Sequence, residues 1–151
     1  MDRVFDDSER MILMKTWLTS RNGALILSFA ALLTLLARSY YDTRFILTEE
    51  FSPLMPGMDT IWIFAFTAIV GINMAFLLAA AVNGDRGAWI GLLVFNLLTG
   101  LGAGAGSLLA YTSNTLEFVI FTASLAIGIL AAVAVVPQLS KRKADFLGMA
   151  G

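Results

Sequence analysis

Asn73 and Asn96 stand inside stretches of chain that are otherwise apolar. A carboxamide both donates and accepts hydrogen bonds. Two of them at one depth therefore either clasp neighbouring helices together or line a place for a small polar molecule. Folding the chain back on itself about Asp85 brings Asn73 and Asn96 to nearly the same level. Thr99 lies one helical turn beyond Asn96, and Thr67 and Ser107 extend the polar series. Hydroxyls also bond back to the carbonyls of their own helix, so they do not define a path by themselves.

The residue types that are missing exclude more than these include. The chain contains no cysteine and no histidine. Disulfides, thiolate or imidazole metal sites, His-ligated haem and Ser-His or Cys-His nucleophile pairs all fall away. The apolar stretches 23–37, 61–82, 88–111 and 118–136 hold no Asp, Glu, Lys or Arg. An ionisable group in such a stretch is the usual mark of a proton relay or coupled-ion site. The acidic residues Asp42, Glu49, Glu50, Asp59 and Glu117 are spaced in no recognisable acid/base or metal pattern. No catalytic residue, metal ligand set or cofactor is expected, and the chain reads as a non-enzyme.

The elements that hold these residues are set by composition. Of 151 residues, 58% are hydrophobic and only 14% charged, and the mean hydropathy is +0.81. A soluble domain carries about 45–50% apolar and about 25% charged residues. The excess comes in blocks of the length a bilayer crossing needs. The expected fold is an all-α membrane protein: four transmembrane helices in an antiparallel bundle, forming one integral membrane domain. The spans are placed at about 23–41, 61–82, 88–111 and 118–136. Trp62, Trp89, Tyr40, Tyr41 and Tyr111 are read as interfacial anchors.

Residues 1–21 form a polar segment whose helix either lies in the headgroup region or lengthens the first span on its wet side. An acidic start is wrong for a signal peptide. Residues 42–60 make a long connection, apolar for a loop, with Pro53, Pro56 and Gly57 as breakers. Asn83-Gly84-Asp85-Arg86-Gly87 is a tight turn. Span four is expected to stop at Pro137 and to lead into a tail, 137–151, with the basic cluster Lys141-Arg142-Lys143. Arg38 and Glu117 both fall near the outer interface, where an exposed pair would contribute about 0–1 kcal/mol.

Orientation follows from the basic residues. Arg3, Arg10, Lys15, Arg21, Arg86, Lys141, Arg142 and Lys143 fall on one side, against Arg38 and Arg44 on the other. The positive-inside rule places both termini in the cytoplasm of a cell (inner or plasma) membrane. The net charge of −1 gives no reason to expect nucleic acid.

The densest local signal is Thr99-Gly-Leu-Gly-Ala-Gly-Ala-Gly-Ser107. Gly100, Gly102, Gly104 and Gly106, with Ala103 and Ser107, give two overlapping small-xxx-small seams. In water each glycine would weaken a helix by roughly 1 kcal/mol relative to alanine. In a bilayer they become a surface for close helix approach. Alternation at every second position spreads them over more than one face. Leucine at Gly102 and Gly104 is expected to disrupt assembly more than leucine at Ala131 and Ala132. The functional expectation is an accessory or assembly subunit that acts through helix packing, with other membrane subunits, or a second copy of itself, and the lipid bilayer as partners. The alternative is a small homo-oligomeric channel or transporter for a neutral or weakly charged solute, lined by Asn73, Asn96, Thr99 and the glycines.

Overall fold

A computed structural model describes residues 7–46, 58–110 and 115–148 of the chain. These form five helices: α1 (Asp7–Leu18), α2 (Arg21–Ile46), α3 (Met58–Val82), α4 (Arg86–Ala110) and α5 (Thr115–Gly148). Four of them, α2 to α5, are long and apolar enough to cross a membrane. This is a multi-pass helical membrane protein in its construction.

The helix boundaries have local causes. α1 and α2 are separated by an elbow at Thr19 and Ser20, so α1 does not run on continuously into the first span. Ser20 Oγ accepts from the Gly23 amide at 3.0 Å, capping the first turn of α2. A side chain at Gly23 would collide with the Trp17 carbonyl, which is why glycine stands inside the elbow. Between α3 and α4 the turn is Asn83-Gly84-Asp85. Gly84 has φ 59°, a left-handed conformation that ends α3 at little cost for a residue without Cβ. Asp85 Oδ2 then accepts from the Gly87 amide at 3.1 Å, and the Asp85 carbonyl accepts from Trp89 at 3.1 Å. Asp85 is thereby the N-cap of α4.

Three expectations are corrected. The connection expected over 42–60 is shorter, because α2 continues to Ile46 and α3 begins at Met58. No breaker interrupts Asp42 to Ile46, so the helix keeps going; Pro53, Pro56 and Gly57 lie outside the described residues. α5 does not stop at Pro137 but carries it inside the helix. A proline there removes one backbone donor, but packing on both sides holds the helix. Val135 is fully buried, and Gln138 donates from Nε2 to the Thr19 carbonyl at 2.9 Å.

The third correction concerns Trp89, which is not an interfacial anchor: it is only 3% exposed. It sits in a core cluster with Ala24, Leu77, Ala80, Ala88, Leu92, Ala134 and Val135, drawn from four helices. Small alanines on α2, α3 and α5 leave a gap there that a bulky indole fills. The side chains of Tyr40, Tyr41, Trp62 and Tyr111 lie outside the described residues.

Candidate functional site

Each of the four long helices carries a polar side chain that is at most 1% exposed, Ser28, Asn73, Asn96 and Ser124, and Thr99 on α4 and Gln138 on α5 are buried as well. Contacts between helices set the levels of the first three. Arg21, at the start of α2, donates from Nη2 to the carbonyls of Ala80, at 3.0 Å, and Ala81 on α3. Phe76 on α3 faces Gly91 and stands 5.9 Å from the Phe95 ring on α4. At about 1.5 Å per residue, Ser28 lies roughly 10 Å along α2 from Arg21. Asn73 lies about the same distance back along α3 from Ala80, and Asn96 is held at the level of Ser28 by the hydrogen bond between their side chains. These three therefore share one layer, on the far side of the Trp89 core from the α3–α4 turn.

The expected clasp between Asn73 and Asn96 is not formed. Asn96 Nδ2 donates instead to Ser28 Oγ at 2.9 Å, a buried bond between α4 and α2. Among the described residues, Asn73 Nδ2 and Oδ1, Asn96 Oδ1 and Ser124 Oγ have no hydrogen-bond partner. Asn73 is 1% exposed, so its whole carboxamide is enclosed and unpaired. Leaving one such group unsatisfied costs about 1–3 kcal/mol. Thr67 is exposed on α3 and does not belong to this layer.

The glycine stretch serves two neighbours. Toward α5, Gly100 meets Gly128 backbone to backbone, Ala103 is fully buried, and a Cβ at Gly104 would lie 3.2 Å from Leu125 Cδ1. Toward α2, Gly102 lies beneath the Arg38 side chain: a Cβ there would be 3.5 Å from Nη1 and 3.6 Å from Nη2. The side chain of Ser107 and the surroundings of Gly106 lie outside the described residues. Ala131 and Ala132 on α5, at 0% and 3% exposure, are more enclosed than Gly102, which is exposed, and Gly104, which is half-buried. Leucine at those alanines is thus no milder a change, because close helix approach here is built from alanine as well as glycine.

Arg38 departs from its expected place at the outer surface beside Glu117. Its Nη1 donates to the Thr99 carbonyl at 3.3 Å, and its guanidinium carbon sits 5.5 Å from the centre of the Phe121 ring. A backbone acceptor, an aromatic face worth about 0.5–2 kcal/mol and the room left by Gly102 together compensate a charge drawn among helices. The sequence reading missed Ser28, Ser124 and Arg38 as inward residues. Ser28 stands seven residues from Arg21 as Asn73 stands seven from Ala80, but only the Arg21–Ala80 contact makes that match visible.

Comparison with known protein families, characterised proteins and solved structures finds no match to this chain.

Proposed function

We propose that this protein is a non-enzymatic integral membrane subunit that acts through helix packing, assembling with other membrane proteins or with itself. The observation that carries this reading is the uncovered face of α3. Only 17% of its apolar span is buried within the chain, against 33% to 39% for the other three. On that face Gly71 has nothing within 4 Å of where a Cβ would be, and Ala68 and Ala75 are exposed beside it. A glycine in a lipid-facing helix weakens it by roughly 1 kcal/mol relative to alanine without compensation. Small residues at this spacing are suited to close approach by a further helix. The glycines of α4 do not supply such a face, since α2 and α5 already occupy it.

In this reading the four spans form an antiparallel bundle with both termini cytoplasmic. α1 lies at the cytoplasmic interface, where Met11, Ile12, Leu13, Met14 and Trp17, all exposed, meet lipid. Mild solubilisation of native membranes followed by sizing tests the assembly. The chain should migrate in a complex larger than its own 16.3 kDa plus detergent. Migration solely as a monomer would contradict the proposal.

A second reading, a small channel or transporter for a neutral solute, is favoured by the unpaired carboxamide of Asn73 and the unpaired Oδ1 of Asn96. Solute sites in transporters lie near the bilayer midplane, where this layer falls. Flux of small neutral solutes into liposomes holding purified protein, lost in Asn73→Leu and Asn96→Leu variants that remain folded, would support it over the subunit reading.

A further inference from the structure

We infer that the groove between α2 and α3 is a binding site for one anionic phospholipid, its acyl chain in the groove and its phosphate on Arg21. The inference needs only that the chain spans a membrane and is independent of the subunit reading. The groove has a volume of about 410 Å³ and is walled by Leu25, Ile26 and Phe29 of α2 and by Met74, Leu78 and Ala81 of α3. It presents almost no polar surface. From Ala81 to Met74 it follows α3 for about 10 Å at the helical rise.

Arg21 stands at one end of this groove. It lies one turn before Leu25 on α2, and one of its hydrogen bonds goes to the carbonyl of Ala81, itself a wall residue. The hydrogen bonds of Arg21 to Ala80 and Ala81 both leave from Nη2. The planar fork carries further donors on Nη1 and Nε, and the residue is exposed, so an anion can be met there in a bidentate manner. Two backbone acceptors meanwhile fix the guanidinium in place. By the positive-inside assignment that end holds eight basic residues, Arg21 among them, against six acidic ones, which leaves it net cationic by two charges.

The shape and charge commit the occupant. Ile26, Phe29 and Leu78 are bulky and 45% to 58% exposed, whereas helix-docking faces are built from small residues. A cation at one end and hydrocarbon along the rest matches a molecule with one anionic head and an apolar tail. A transmembrane helix of a partner matches the small residues Ala68, Gly71 and Ala75, centred further toward the N-terminus of α3, and not these bulky walls.

Detergent-purified full-length protein, with phosphatidylglycerol or phosphatidylcholine of identical acyl chains added, tests the site by native mass spectrometry and thermal shift. Phosphatidylglycerol should stay bound and raise Tm, and phosphatidylcholine should do so roughly fivefold less well, the discrimination expected of one basic contact. Arg21→Gln should abolish the discrimination while Arg21→Lys retains part of it. Because Arg21 also holds the end of α3, Ala81→Phe gives a separate arm: it fills the groove with Arg21 intact and should lower retention of phosphatidylglycerol. Equal retention of the two lipids, an undiminished signal in Ala81→Phe, or an equal shift with inorganic phosphate alone would overturn the inference.

Discussion

At Gly100 and Gly128 the backbones of α4 and α5 meet directly, and the contact allows a prediction with a direction and a size. A methyl group on Gly128 would stand 2.7 Å from both Cα and N of Gly100 and 3.0 Å from the Asn96 carbonyl oxygen. Ordinary contact between heavy atoms is about 3.5–4.0 Å. All three neighbours are backbone atoms and none can rotate away. Gly128→Ala therefore forces α4 and α5 apart by about 1 Å, and Asn96 moves with α4. Overpacking of this kind costs about 1–3 kcal/mol, and the gain in helix propensity returns up to roughly 1 kcal/mol. The net loss should be about 1–2 kcal/mol. The reciprocal change is much milder: a methyl on Gly100 would meet Ile129 N at 3.3 Å and the Leu125 carbonyl at 3.4 Å, which small shifts relieve. Gly100→Ala should be close to neutral. Unfolding in mixed detergent micelles, followed by the fluorescence of Trp89 in its buried cluster, measures both. A Gly128→Ala variant as stable as the parent, or a Gly100→Ala variant that loses more than Gly128→Ala, would refute the packing described for this pair.

Other outcomes follow from the same geometry. A double-mutant cycle of Ser28→Ala and Asn96→Leu should give a coupling of about 0.6–1.7 kcal/mol, the range for hydrogen bonds between membrane helices; no coupling would remove the Ser28–Asn96 bond from the account. Asn73→Leu should be neutral or stabilising, because it deletes an enclosed amide without breaking a bond; a loss above about 2 kcal/mol would mean that the carboxamide has a partner. Gly102→Leu should destabilise by displacing the Arg38 guanidinium, and the same change on an Arg38→Met background should cost distinctly less. Since the chain has no cysteine, Asn83→Cys and Thr115→Cys can each be labelled singly in sealed vesicles. A membrane-impermeant maleimide should reach Asn83→Cys from the cytoplasmic side alone and Thr115→Cys from the opposite side alone.

The helices and their turns were legible in the sequence because their causes are local. Uninterrupted apolar blocks and the turn sequence Asn83-Gly84-Asp85-Arg86-Gly87 announce themselves without reference to the rest of the chain. What the buried polar residues bond to was not legible. Asn96 pairs with Ser28, sixty-eight positions away, because two helices that are not adjacent in the chain lie side by side, and no spacing within either encodes that. Trp89 reads as an anchor beside a turn until the alanines of three other helices are seen to leave it a cavity. Arg38 reads as a span end, and only its meeting with Gly102, Thr99 and Phe121 turns it inward. Pro137 misleads in the opposite direction, since a strong local breaker is held inside α5 by contacts made elsewhere.

The face of α3 around Gly71 is the most direct place to test the proposed assembly. A Gly71→Cys variant carrying a short photoreactive maleimide, irradiated in native membranes, reports what lies against that face. Leu101→Cys on α4, 63% exposed, serves as the lipid-facing reference. The account predicts a discrete protein adduct from position 71, with a second copy of the chain or with another membrane protein, and only lipid adducts from position 101. Lipid adducts alone from both positions would contradict it.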